Sequence, residues 1–137
     1  MSSDSWSEAK RWFLRASDEL DDAKKLMTMR RYYLALYLSQ QSAEKALKAF
    51  LYHRGVGPLL TYSVSNLVAT ASDLDRNFER ISPAGRLDDY YIPTRYPNGL
   101  PGGIPSRYYT DEAEVRRAIE MSQAVLDLVR DKLSDIL

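Results

Sequence analysis

The stretch YYLALYLSQQSAEKALKAFLYHRG, residues 32–55, decides the predicted fold because it is apolar on more than one side of a helix. One stripe contains Tyr32, Leu36, Ala43, Ala46 and Phe50, and a second contains Tyr33, Tyr37, Leu47 and Leu51. A helix that is apolar nearly all round is buried among other elements. Gly55 is the expected C-terminal stop, and His53 in the last turn favours the negative end of the helix dipole. This segment is therefore predicted to be the central helix of the protein.

Two further long helices are predicted on either side of the central one. In the first, Ser5 and Glu8 have the spacing of a capping box, and an apolar stripe follows at steps of three and four: Trp6, Ala9, Phe13, Ala16, Leu20, Ala23 and Met27. In the last, Asp111 is the predicted cap with Glu114 three residues on. A stripe of Val115, Ala118, Ser122, Val125, Val129 and Ile136 then runs toward the C-terminus.

Two short helices are predicted between the second and the last long helix. The first begins at Ser63 and has Val64, Leu67, Val68 and Ala71 facing inward. The second begins at Ser82 as the cap with Pro83 at the first helical position. No segment alternates apolar and polar residues over the length of a strand. The predicted fold is all-α: a single domain, residues 1–137, forming an antiparallel up-and-down bundle of three long helices and about two short ones.

The segment DDYYIPTRYPNGLPGGIPSRYYTD, residues 88–111, is too long and too aromatic for an ordinary connection. Its prolines recur every four residues and reduce the entropy that ordering costs. Its apolar residues are of types that bury: Tyr90, Tyr91, Ile92, Tyr96, Tyr108 and Tyr109. An ordered loop that folds back onto the bundle, with Tyr90 and Tyr91 as supporting residues, is therefore predicted before the last helix.

Composition limits the classes of function. Nineteen basic residues balance nineteen acidic ones, so no overall field steers the protein toward nucleic acid or an anionic membrane. There is no cysteine and a single histidine, which argues against a metal site or a metal cofactor. No apolar run approaches the roughly 20 residues that span a bilayer. A cytoplasmic protein without membrane contact is expected.

A polar row interrupts the central helix, and the proline segment carries two Arg-Tyr pairs. Gln41, Glu44, Lys45 and Lys48 share one helix face, either as a solvated strip or as a polar patch that lines a cleft or a subunit contact. The predicted ligand-binding residues are Lys45, Lys48, Arg95, Tyr96, Arg107 and Tyr108, with Gln41, Glu44, Tyr90 and Tyr91 in supporting positions. The guanidinium groups would suit phosphate or carboxylate. An equally good interpretation is that Asp88 or Asp89 pins Arg95 as a structural ion pair.

Two strings give the chain a recognisable resemblance. QQSAEKALKAFL at residues 40–51 and YYIPTRYP at residues 90–97 occur in the order and helical contexts of the HEPN domain family, and SRYYTDEAE and AIEMSQAVLDLV also suit its pattern. The resemblance implies an antiparallel helical bundle that commonly forms homodimers. It also implies frequent pairing with a minimal nucleotidyltransferase in toxin–antitoxin systems. Some similar proteins are metal-independent ribonucleases that use an arginine followed four to six residues later by a histidine.

The chain departs from that ribonuclease pattern. No histidine follows Arg95, and His53 precedes it; Tyr62 stands where many similar proteins have a histidine. A phenol that titrates near pH 10 is a poor general base at neutral pH. The prediction is therefore a non-catalytic module that binds a nucleotide or a nucleotidyltransferase partner, with no catalytic residues assigned. The alternatives are a toxin-type ribonuclease with an atypical site around Arg95, or a structural protein that forms a homodimer.

Overall fold

A computed structural model describes residues 3–100 and 103–137, and every described residue in regular structure is helical. Within these two ranges, five α-helices and two 3₁₀ helices follow one another along the chain. In order they are α1 (Ser3–Thr28), α2 (Tyr32–His53), α3 (Val64–Leu74), a long 3₁₀ helix (Arg76–Tyr90), a short 3₁₀ helix (Pro97–Gly99), α4 (Pro105–Tyr108) and α5 (Glu112–Lys132). The predicted all-helical bundle is confirmed.

The first two helices form an antiparallel pair. Near the start of α1, the Ser5 hydroxyl donates a hydrogen bond to the Tyr52 carbonyl near the end of α2, over 2.8 Å. Further along, the Ser42 hydroxyl donates to the Ala16 carbonyl over 2.7 Å. Alanines that are fully buried on both helices allow this close approach: Ala9, Ala16, Ala23, Ala35, Ala43, Ala46 and Ala49. The apolar stripes read from the sequence therefore face one another.

The long 3₁₀ helix runs along α5 in the opposite direction, as expected in an up-and-down bundle. At its start, Asp75 forms a 2.7 Å ion pair with Lys132 at the C-terminal end of α5. At its other end, the Tyr90 hydroxyl donates to Glu114 in the first turn of α5 over 2.8 Å. The 3₁₀ helix and α5 are thus antiparallel neighbours. Phe78 from the 3₁₀ helix packs its ring 4.3 Å from that of Phe50 at the centre of the core.

Three predicted helix starts have different outcomes. Asp111 caps α5 as expected, since its side chain accepts the Ala113 amide over 2.9 Å. Ser5 is not a cap but lies inside α1, which begins at Ser3. Ser82 is not a cap either: Asp75 accepts the amide of Asn77, and the helix therefore begins seven residues earlier, with Pro83 inside it.

The proline segment is only partly buried. Thr94, Leu100 and Tyr109 are buried against the bundle, whereas Ile92, Tyr96 and Tyr108 are about half exposed. The expectation that the apolar residues of this segment bury is therefore wrong for Ile92, Tyr96 and Tyr108. These side chains lie at the surface, where they can contact other molecules. Pro101, one of the four regularly spaced prolines, lies outside the described residues.

Among the described helices, none has a stretch long and apolar enough to cross a membrane.

Candidate functional site

The polar row of α2 lies where α1 packs against it. Lys45 forms a 2.8 Å ion pair with Glu19 of α1 and also donates to the Gln41 side chain over 3.0 Å. Gln41 in turn donates to Gln40, which reaches the Tyr62 carbonyl over 2.9 Å. Gln41 and Lys45 therefore belong to a chain of hydrogen bonds that starts at Glu19 of α1, rather than to a solvated strip.

One ion pair in this row is almost completely buried. The Lys48 ammonium lies 3.3 Å from Oε2 of Glu44, and the two side chains are only 6% and 5% exposed. The other carboxylate oxygen of Glu44, Oε1, is buried without a hydrogen-bond partner among the described residues. Burial raises the pKa of Glu44, and the positive charge of Lys48 opposes that shift. Taking both charges out of water is costly, and their mutual attraction offsets part of that cost.

Aromatic rings cover the Lys48 ammonium. Its nitrogen lies 5.5 Å from the centre of the Trp12 ring and 5.6 Å from that of Tyr62. The Tyr62 ring, which is 60% exposed, stacks on Tyr91 at 5.4 Å with only 17° between the planes. These contacts connect the polar row of α2 to the proline segment.

Arg95 lies at the other end of the same stack. Its guanidinium is 4.3 Å from the centre of the Tyr91 ring, 5.1 Å from Tyr96 and 5.4 Å from Tyr37. Its Nε donates to the Tyr91 carbonyl over 2.8 Å, which fixes the side chain against its own turn. Within residues 3–100 and 103–137, its two Nη atoms make no hydrogen bond and no ion pair. Arg95 therefore presents a positioned cation with unused donors.

Asp88, the predicted alternative ion-pair partner of Arg95, instead accepts hydrogen bonds at the start of α3. Its carboxylate accepts the amides of Val64 and Ser65, over 2.7 and 3.0 Å, and the Ser63 hydroxyl over 2.9 Å. It thus caps the N-terminus of α3. In the described part of the chain, neither Asp88 nor Asp89 forms an ion pair with Arg95.

We call the connected residues Tyr37, Lys48, Tyr62, Tyr91, Arg95 and Tyr96 the Arg95 surface. It unites four of the residues that sequence analysis selected, Lys48, Arg95, Tyr96 and Tyr91, while Glu44 and Lys45 lie beside it on α2. Tyr37 and Tyr62 were not predicted from the sequence to be parts of this surface. Tyr37 was assigned to an apolar stripe, and Tyr62 was noted only as a replacement for histidine. Burial raises the pKa of Tyr37, although Arg95 opposes the shift.

The remaining predicted residues lie elsewhere. Tyr90 contacts Glu114 and the Tyr109 ring on the α5 side. Tyr108 packs edge-on against Tyr109 at 5.0 Å. No hydrogen bond, ion pair or ring contact of the described residues joins Arg107 or Tyr108 to the Arg95 surface. Their part in a binding site stays a prediction.

His53 lies at the opposite end of α2 from Tyr37. Its ring stacks on Trp6 at 5.9 Å, and Nε2 is 3.4 Å from Asp135 near the C-terminus. Across the described residues, no group of three or more His, Cys, Asp or Glu side chains is arranged to hold a metal ion. The Arg95 surface combines a guanidinium group with tyrosine rings. Such an arrangement is suited to binding an anion that is attached to a planar ring.

Fold and site together define a small helical bundle with a cation–aromatic surface between α2 and the segment that precedes α5. The sequence model of the HEPN domain matches residues 9–132. The chain belongs to the HEPN domain family.

Three relatives cover almost the whole chain. A Methanocaldococcus jannaschii protein named "Putative toxin MJ1304" is 26% identical over 136 residues, which is 93% of this chain and 89% of that protein. The crystal structure of TT1696 from Thermus thermophilus is 34% identical, with a TM-score of 0.81, and covers 91% of this chain and 98% of its own. ST0689, described as an archaeal HEPN homologue, is 31% identical with a TM-score of 0.75 and covers 92% and 98%.

Proposed function

We propose that this chain is a HEPN module that binds a nucleotide at the Arg95 surface and does not itself cleave RNA. One observation carries the proposal: the Arg95 guanidinium is held on the Tyr91 ring at 4.3 Å while its Nη donors have no partner among the described residues. Guanidinium groups with free paired donors match the geometry of phosphate oxygens.

The rings around Arg95 supply the second half of a nucleotide site. Tyr96 and Tyr62 are 48% and 60% exposed; Tyr62 stacks on Tyr91, and the Tyr96 ring lies 5.1 Å from the Arg95 guanidinium. Stacking of a base on an exposed aromatic ring contributes about 1–3 kcal/mol and tolerates any base. A phosphate on Arg95 with a base on Tyr96 or Tyr62 uses both features. Lys45, Arg107 and Tyr108 are proposed to extend the surface for a longer ligand.

We infer a non-catalytic role because no imidazole lies at the Arg95 surface among the described residues. The single imidazole of the sequence, His53, contacts Trp6 and Asp135 rather than Arg95. Tyr62, which belongs to the proposed site, is a phenol and not an imidazole.

Isothermal titration calorimetry of AMP and ATP tests the binding. Wild type is expected to give saturable heats that Arg95→Ala removes or weakens at least tenfold. Arg130→Ala is the matched control, because Arg130 also lies over a ring, that of Phe13 at 5.4 Å, but is paired with Asp127. Equal heats for wild type and Arg95→Ala, or none for wild type, would refute nucleotide binding at this surface.

We further propose that the module acts in the cytoplasm with a minimal nucleotidyltransferase, the partner that the family resemblance implies. The lack of cysteine suits a reducing compartment. Co-expression with a minimal nucleotidyltransferase from the same genome, followed by affinity purification and gel filtration, should give a single complex. Separate elution of the two proteins would argue against the partnership.

A toxin-type ribonuclease is the second candidate, because MJ1304 carries a toxin name. Incubation of the purified protein with end-labelled RNA distinguishes the two functions. We expect intact RNA; cleavage that disappears in Arg95→Ala would replace the proposal with a ribonuclease.

A third candidate is a homodimer contact through the partly exposed Tyr91 ring and the exposed Tyr96 ring. Light scattering of the Tyr91→Ala, Tyr96→Ala variant would then show a halved mass, whereas nucleotide binding alone predicts no change in mass.

A further inference from the structure

A concave surface that does not include Arg95 lies between the long 3₁₀ helix and α5. It is a groove of about 520 Å³. One wall carries Arg80, Pro83, Arg86 and Asp89, which recur every three residues. Side chains three apart lie above one another in a 3₁₀ helix, so these four form a straight row about 18 Å long at about 2 Å per residue. This row was not predicted from the sequence, because the helix was expected to begin at Pro83.

The facing wall is one side of α5. Glu114, Arg117, Met121 and Ala124 line the groove at steps of three and four residues, the spacing of a single α-helical face. Their span is about 15 Å at 1.5 Å per residue, close to the length of the opposite row. The groove is thus a trough with two parallel walls rather than a closed cavity.

Small and apolar side chains form the floor. Ile81 and Ala84 are buried, with only 8% and 2% of their surfaces exposed, and Met121 packs against the core. The short Ala84 and Ala124 side chains leave room for a backbone to approach closely. An apolar floor between charged edges matches the arrangement of a protein interface, in which Tyr, Met and Arg are enriched.

The charges along the edges of the groove favour a polypeptide ligand over a nucleic acid. Arg80, Arg86 and Arg117 form no ion pair with any described residue, although Asp89 and Glu120 line the same groove. A nucleic-acid strand would bring its phosphates against those carboxylates, and like charges at close range are unfavourable. A polypeptide can supply both signs, with acidic groups for the arginines and basic groups for the carboxylates.

We propose that this groove is a docking site for an amphipathic helix of a protein partner. The helix has about ten to twelve residues, an apolar stripe for the floor, and flanking charges of both signs. This surface is independent of nucleotide binding at Arg95, and the two can fail separately.

The probe is a phage-displayed library of random peptides about 16 residues long, selected on the biotinylated full-length protein. Enriched peptides are then synthesised with a fluorophore, and their affinities are measured by anisotropy. We expect enrichment of sequences with apolar residues at helical spacing and charges of both signs.

Groove variants decide the result. Ala124→Trp fills an exposed position of the trough, and Arg117→Glu reverses a charge on its edge; each should weaken peptide binding about tenfold or more. Arg116→Glu is the matched control, since Arg116 is the exposed neighbour of Arg117 and does not line the groove. It should bind as wild type, as should Arg95→Ala. Circular dichroism and urea midpoints confirm that each variant is folded.

Three outcomes would overturn the proposal. They are the absence of any enriched peptide, peptide affinities that Ala124→Trp and Arg117→Glu leave unchanged, and displacement of the peptides by a labelled single-stranded RNA that also loses affinity in Arg117→Glu.

Discussion

The buried Glu44–Lys48 pair should make Lys48→Met strongly destabilising. At 3.3 Å the attraction between the two charges is about 5 kcal/mol at an effective dielectric constant of about 20. Removing one partner leaves the other charge buried and unpaired, a loss of about 3–5 kcal/mol in comparable cases. The side chains are only 6% and 5% exposed, so solvent gives little compensation. We expect a loss of about 3–5 kcal/mol in the free energy of unfolding at pH 7.5.

The loss in the free energy of unfolding caused by Lys48→Met should become smaller as the pH falls. The pKa of Glu44 is already raised from its ordinary value of 4.5 by burial, and without Lys48 it rises further. The native state then binds a proton at a higher pH than the unfolded state does. Stability therefore increases as the pH is lowered through the folded pKa toward 4.5. Lys48→Met should accordingly lie closer to wild type at pH 5.5 than at pH 7.5.

Urea unfolding monitored by circular dichroism measures these differences. Arg116→Met is the matched control: the Arg116–Glu112 pair has the same four-residue spacing but is 57% and 54% exposed, and its loss should cost about 0.5 kcal/mol or less. The double variant Glu44→Leu, Lys48→Met removes both charges and should recover most of the stability. The reasoning is refuted if Lys48→Met costs no more than Arg116→Met, or if its deficit grows at pH 5.5.

Three other substitutions test the fold. Phe78→Ala should cost about 3–5 kcal/mol in urea unfolding, since its fully buried ring packs on Phe50, and a smaller loss would show that the long 3₁₀ helix is not part of the core. Asp88→Ala should cost about 1–2 kcal/mol and accelerate amide hydrogen exchange at Ser65; unchanged exchange there would contradict its capping of α3. Tyr90→Phe should cost about 1 kcal/mol through loss of the hydrogen bond to Glu114, and a stability equal to that of wild type would show that this bond is not formed in solution.

Helical periodicity was sufficient to predict the long α-helices, because their apolar stripes are continuous. The long 3₁₀ helix was not predictable in the same way. Its buried residues Phe78, Ile81, Ala84 and Leu87 recur every three residues, which is a 3₁₀ rather than an α-helical spacing, and Pro83 resembled a helix start. Ser82 was also wrongly predicted to be the N-terminal cap of this helix. Asp75, seven residues earlier in the chain, accepts the Asn77 amide instead.

The site was partly predictable. Lys48 and Arg95 were found from charge and spacing, since both are unusual in their local settings. Their connection through Tyr62 and Tyr91 depends on how the loop before α3 meets the turn after the long 3₁₀ helix, over 29 residues of separation. Ring contacts between such distant segments have no local sequence signal. The burial of Glu44 could not be predicted from the sequence either, because charged residues on a helix face are mostly exposed.

The most direct test of the central claim is NMR observation of the Arg95 side chain, with its Nε and Nη resonances assigned by comparison with Arg95→Ala. AMP and adenosine are titrated separately into the labelled protein. If phosphate binds the free Nη donors, AMP should shift the Arg95 resonances to saturation while adenosine moves them far less. Resonances of Arg95 that stay unchanged while AMP binds, or that respond equally to AMP and adenosine, would contradict the account.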